Sequence, residues 1–238
     1  MNLIPSAMRG PSLEPPQRSR GFSMVWLRCL VALTLGGTAA AGELVAVVGS
    51  VQVVRGGVTQ PAKVGARLEQ GDELVSQDAG EVVVRFDDGS RLALRPGSRT
   101  ALAQLPQQPA PDASTKVVRL IGGQLRYVSA PLAAPRNTRF ETSTATVGIR
   151  GTDLELAVTA QPAVNEPPGT FVRVRAGAVV VQAVDGTQTE VAAGQIAYGG
   201  NPDPLTRAFG RPQRPGARLL GLPAAAVFSE GRLDDLLR

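Results

Sequence analysis

The 238-residue chain contains no histidine at all. Its one cysteine, Cys29, its one tryptophan, Trp26, and its three methionines, Met1, Met8 and Met24, all lie near the N-terminus. Everything after them is without thiol, imidazole or thioether. That excludes Ser-His-Asp and Cys-His nucleophilic sites, a His-ligated zinc centre and any disulfide from the bulk of the chain. Aromatic residues make up only 4%, so the core has to be assembled from Val, Leu, Ala and Ile. A strong charge excess is also missing. Arg9, Arg18, Arg20 and Arg28 against Glu14 hold three of the five net positive charges, leaving +2 for residues 42–238. A balance so close to neutral argues against nucleic acid as a partner, because that affinity rests on neutralising phosphates.

What is present near the start is an export pattern. Met24-Val-Trp-Leu-Arg28-Cys29 precedes the apolar run Leu30–Leu35, and Gly36-Gly37-Thr38-Ala39-Ala40-Ala41-Gly42 follows. A positive start, an apolar stretch and small residues with Ala39 and Ala41 at −3 and −1 read as a signal peptide cleaved before Gly42. A retained anchor is the competing reading, but a spanning helix needs about 20 apolar residues and Arg28 cuts this run short. Cys29 stands before the apolar run rather than after it, which argues against lipidation. Translation has three candidate starts, Met1, Met8 and Met24, and the last gives a signal of ordinary length. The expected location is the periplasm or the exterior, with no stable membrane span after cleavage.

From Gly42 the sequence turns to short Val-rich runs with period-2 alternation, punctuated by 27 glycines and 19 prolines along the chain. In Glu81–Phe86, Val82, Val84 and Phe86 share one face and Val83 and Arg85 the other. Asp87-Asp88-Gly89-Ser90 and a second alternating run, Arg91–Arg95, complete a strong hairpin signal, since the tight turn needs positive φ. The device recurs as Val117–Ile121, Gly122-Gly123, Gln124–Val128. A third set comprises Phe171–Arg175, Ala178–Val184, Asp185-Gly186 and Thr187–Val191. No stretch between Gly42 and Gly200 has a helical period. The fold class is therefore all-β, short antiparallel hairpins in a sandwich or β-solenoid-like domain. The organisation read from the chain is a leader and signal over 1–41, a β domain over 42–200 and a Pro/Arg-rich C-terminal tail over 201–238. Gln104–Ser114 and Gln161–Gly169, each with three prolines, are predicted surface loops. Gly49–Val54 weakly echoes Gly177–Val181, as duplication or simply as strand-and-turn composition.

Four segments occur in an order that resembles one known family. They are Gly65–Leu74, the strand into Phe86-Asp87-Asp88-Gly89-Ser90, the turn Leu120-Ile121-Gly122-Gly123 and Thr146-Val147-Gly148-Ile149-Arg150-Gly151-Thr152. Together they resemble a FecR-like domain over roughly Glu43–Val158, the last segment being the most specific. The resemblance implies an extracytoplasmic β domain used in signalling or protein contact. For members that regulate iron uptake it also implies a cytoplasmic segment holding a sigma factor and a membrane span. Here only a short signal precedes the domain, so the resemblance speaks to fold and compartment rather than pathway.

No catalytic residue, metal ligand or cofactor site is assigned. Asp87-Asp88 is the one acidic pair near a turn, and Asp before Gly at a hairpin is explained by backbone geometry. One pair also falls short of a calcium ligand count. Arg150 and Thr152 are candidate partner contacts: Arg150 offers a forked donor to a carboxylate on a protein or wall peptide, or else pairs internally with Asp153 or Glu155. In the tail, Arg207, Arg211, Arg214 and Arg218 form a second candidate contact set, with no acid from 207 to 218. The competing reading is a solvated tail, with one short amphipathic helix over Ala224–Arg238. The functional expectation is a non-enzymatic interaction or sensing module of the bacterial envelope, its partner an envelope protein. The alternative is a binding module for cell-wall glycan or another envelope polysaccharide, disfavoured by the scarcity of aromatic platforms.

Overall fold

The Val-rich alternating runs become strands, and the prolines and glycines fall between or within them. A computed structural model describes residues 41–106, 115–130, 137–202 and 214–237; the export signal lies outside the described residues. The strands are β1 Gly42–Val48, β2 Val51–Arg55, β3 Val58–Pro61, β4 Arg67–Leu68 and β5 Glu73–Ser76. Next come β6 Glu81–Phe86, β7 Arg91–Leu94, β8 Arg99–Gln104, β9 Lys116–Val128 and β10 Thr138–Glu141. The last five are β11 Ala145–Thr159, β12 Gly169–Ala183, β13 Gln188–Ala192, β14 Ile196–Gly200 and β15 Ala217–Leu220. All described strands belong to one hydrogen-bonded sheet, antiparallel except for the parallel pair β9–β10. The all-β reading is therefore correct.

That sheet doubles over into two layers. One layer, layer I, runs β3-β2-β5-β8-β9-β10-β11-β12-β13, and the other, layer II, runs β4-β1-β6-β7-β9-β11-β12-β14-β15. Strands β9, β11 and β12 serve both, one half in each. Inward side chains of the two layers form a single core, with Leu74, Leu102, Leu120, Val147 and Val181 from layer I and Leu44, Val84, Leu92, Leu125, Leu154 and Val172 from layer II. Both rings of the edge-to-face pair Tyr127–Phe140 lie in it, 5.1 Å apart.

The predicted Asp-Gly hairpins form: β6 and β7 pair around Gly89, and β12 and β13 around Gly186. Gly122-Gly123 is different. It makes no hairpin; β9 passes straight through it and changes layer there. Gly123 has φ +82°, and a Cβ on it would lie 2.3 Å from Ser98 Oγ. The glycine serves a corner rather than a turn, which is why the local sequence misleads. Gly151 in β11 and Gly177 in β12 stand at matching corners with φ of +64° and +79°, so Phe171–Arg175 and Ala178–Val184 are halves of one strand.

The C-terminal residues depart further from a solvated tail. Strand β15 pairs with β14, and the expected single helix is replaced by two 3₁₀ turns, Leu222–Val227 and Asp234–Leu237. Between them Ser229 is tethered to the sheet, its N–H donating to Gln124 Oε1 at 3.0 Å. Leu220, Val227 and Phe228 pack on Ala157, Phe171 and Tyr198, and Leu233 and Leu237 pack on Val83 and Ala93. The segment thus lies over the outer face of layer II. Among the described residues no helix is long and apolar enough to cross a membrane.

Candidate functional site

The outer face of layer I carries a large concavity lined in part by the predicted site residue Arg150. Strands β10, β11, β12 and β13 lie side by side there, with Arg139 opposite Gly148, Gly148 opposite Val180 and Val180 opposite Glu190. One step along, Arg150 stands opposite Ala178, and Ala178 opposite Ala192. Period-2 alternation sends all of these outward, while Ile149, Val179 and Val191 point into the core. The result is a trough of about 600 Å³ bordered by Arg139, Arg150 and Glu190 and floored by Gly148, Ala178 and Val180. A Cβ on Gly148 would meet nothing within 4 Å, so the floor is hollow there, while Val180 beside it is 45% exposed.

Charges on this face are mostly spent on each other. Arg99 pairs with Glu73, Arg119 with Glu141 at 3.0 Å and Arg139 with Glu141 at 3.2 Å. Among the described residues Arg150 and Glu190 make no ion pair, and both border the trough. The internal partners expected for Arg150 are committed elsewhere: Asp153 to Arg126 at 2.7 Å, and Glu155 to Arg173 and Arg175. The corner at Gly151 is the reason, since it puts Arg150 on the outer face of layer I and both acids on that of layer II.

The other predicted contacts have different surroundings. Thr152 is past the same corner and buried, its N–H donating to Ser129 Oγ at 3.1 Å; it is not on the trough. Arg207 and Arg211 lie outside the described residues. Arg214 and Arg218 both bind Glu166, the former at 2.5 Å, and Arg218 also stacks 4.3 Å over the Tyr198 ring. Glu166 is 3% exposed although it belongs to a Pro-rich loop. These two arginines anchor the C-terminal segment rather than presenting a free arm.

The acidic pair at the first hairpin is also fully engaged. Asp88 accepts from the Ser90 N–H at 2.9 Å and Ser90 Oγ at 2.5 Å, and pairs with buried Lys116 at 2.6 Å. Burial pushes its carboxyl up, but the Lys116 charge and these hydrogen bonds outweigh that and hold it below the usual carboxylate range. Asp87 pairs with Arg67 at 3.4 Å. Among the described residues no three acids, histidines or cysteines converge as metal ligands.

Of the other trough residues, Gly148 belongs to the Thr146–Thr152 segment, whereas nothing local in the sequence marks Arg139 or Glu190. Val180 does carry a local signal, as an apolar residue at an outward position between Ala178 and Gln182.

Two crystal structures of a candidate anti-sigma factor from Parabacteroides distasonis ATCC 8503 are similar to this chain, at 17% and 16% identity, each with a TM-score of 0.41. Each likeness covers 52% of this chain and 53% of the other, so the chain spans about half the length of that protein. Among curated proteins none matches. The family described as FecR protein matches residues 72–197, more than half of the sequence and all four strands that line the trough. This chain therefore belongs to the FecR family.

Proposed function

We propose that this chain is an extracytoplasmic, non-enzymatic sensing or signalling module of the bacterial envelope that works by contact with another protein. Family membership supports the signalling role, and the Arg28-to-Ala41 export pattern supports the compartment. The observation that carries the contact reading is the outer face of layer I. It is uncovered among the described residues, and its trough holds an arginine with no acid to neutralise it. A guanidinium in that state is a forked donor for a carboxylate. The glycan alternative has no support at this face, because Phe86, Tyr127, Phe140, Phe171 and Tyr198 are all buried and no ring lines the trough.

The test is photo-crosslinking in intact cells. A photoreactive residue at Val180 should give a discrete protein adduct that Arg150→Glu abolishes, while one at Glu230, across the molecule, should not. Equal labelling at both positions, or adducts only with wall polymer, would reject the reading. N-terminal sequencing of the same protein should begin at Gly42 or within about two residues of it; an intact Met24 start would remove the export part.

A further inference from the structure

We infer that the trough of layer I is a self-association face, in which a second copy of this chain docks by exchanging Arg150 and Glu190 across a two-fold axis. The inference rests on the contact reading above and names the partner. Its first support is electrostatic. Arg150 and Glu190 are exposed, of opposite sign and without ion partners among the described residues, on the two strands that flank β12. A face with one free charge of each sign is its own complement, and an isologous contact sets residue i against j and j against i. An acidic peptide would satisfy Arg150 but leave Glu190 facing like charge.

The second support is steric and independent of charge. Val180 protrudes at 45% exposure directly beside the hollow over Gly148, its cross-strand partner. A bump next to a hole fits the same bump and hole rotated by half a turn. The two requirements agree. With strands about 4.8 Å apart and a rise of about 3.4 Å per residue, an axis lying in the face and crossing β12 near Val179 interchanges Arg150 and Glu190. The same axis brings Val180 of one copy within about 3 Å of the hollow over Gly148 of the other. Arg139 is held by Glu141 and takes no part.

Sedimentation of the purified protein over a concentration series reads the dimer directly. Arg150→Glu and Glu190→Arg should each weaken it by about 10-fold or more, since each places like charges together. The double exchange Arg150→Glu with Glu190→Arg should restore it to within about 3-fold of wild type, which no acidic or basic foreign partner predicts. Gly148→Leu should abolish the dimer with an unchanged melting temperature, because its side chain enters open space. A protein that stays monomeric into the millimolar range, or a double exchange that fails to restore association, would overturn the inference. If a monomer still gives the Arg150-dependent adduct with a different protein, the contact reading stands and self-association alone falls. Loss of both the dimer and the adduct would remove the two together.

Discussion

The two outer faces of this molecule are built by partly the same strands and have opposite fates. On layer I the outward positions of β8, β9, β10 and β11 include Arg99, Arg119, Glu141 and Gly148, and even the apolar Ile121 remains 44% exposed to water. On layer II the outward positions are Val83, Ala93, Ala157 and Phe171, with Arg95, Arg126 and Glu155 among them, and residues 214–237 cover the face. Ion pairs occur on both, but their surroundings differ. Arg99 is about half exposed, whereas Arg95 is 2% exposed and held by Asp234. One Arg95–Asp234 contact is a hydrogen bond from Nη2 at 2.9 Å; the other, from Nη1 at 2.6 Å, is too poorly angled to be one. The comparison teaches that outward charge does not mark a free surface. What matters is whether the charge has a remote segment to bury it.

Removing that segment should have the largest effect. Deletion of residues 214–238 strips cover from Phe171 and Tyr198 and leaves Arg95 and Glu166 without their partners from that segment. With about 3–5 kcal/mol at stake for each broken buried pair, the loss should exceed about 5 kcal/mol, read as absence of a cooperative urea transition. A truncated chain as stable as the whole would erase the contrast between the faces.

The corner that makes two layers out of one sheet comes next. Gly123→Val forces a branched side chain into positive φ and against Ser98, and should cost about 4 kcal/mol from backbone strain and overpacking together. A melting temperature within a degree or two of wild type would show that the corner tolerates a Cβ.

Asp234→Asn probes the covered face by charge alone. It should destabilise by about 3 kcal/mol at pH 7, because buried Arg95 loses its nearest counter-charge and keeps only Glu155 at 3.9 Å. Burial pushes the Asp234 carboxyl up, but the hydrogen bond and charge of Arg95, the Gly231 N–H and the charge of Arg126 hold it below the ordinary range. Its unfolded value is near ~3.9. The wild-type contribution is therefore complete above about pH 4 and disappears as the pH falls through the lower folded value. The gap between wild type and variant should narrow accordingly in melts at pH 3; a gap that stays constant would assign it to packing.

The smallest effect belongs to the bare face. Arg99→Ala breaks the Glu73 pair in water and should cost less than about 1 kcal/mol. A larger loss in a urea titration would mean that this face is not as open as it looks.

Much of the fold was legible because its signals are local. Asp88-Gly89 and Asp185-Gly186 specify tight hairpins wherever they stand, and alternation in Glu81–Phe86 separates Val82 and Val84 from Val83 and Arg85 without tertiary information. Gly122-Gly123 resembles a turn because a glycine pair between apolar runs is locally ambiguous; only the approach of Ser98, 25 residues earlier in the sequence, makes it a corner. The echo between Gly49–Val54 and Gly177–Val181 has a counterpart of the same kind, since each glycine begins a passage from layer II to layer I. The tail is hard to read for a related reason. Arginines and prolines without a nearby acid resemble a solvated arm, yet the acid for Arg214 and Arg218 is Glu166, roughly fifty residues earlier. At the candidate site, Arg150 was visible by its motif, whereas Glu190 became visible only once β11, β12 and β13 were set side by side.

Strand β9 has a consequence for how the chain acquires its structure. It pairs with β8 and β10 through its first half and with β7 and β11 through its second. Neither layer can close before β9 arrives, and β1–β8 alone leave both β7 and β8 with an open edge. Most of these pairings join residues distant in sequence, a topology that folds in milliseconds to seconds rather than microseconds. With no cysteine after Cys29, no covalent link can hold early contacts while the chain waits. Substitutions along Leu120–Leu125 are therefore expected to slow folding more than they speed unfolding, and the two arms of a chevron plot would read the split.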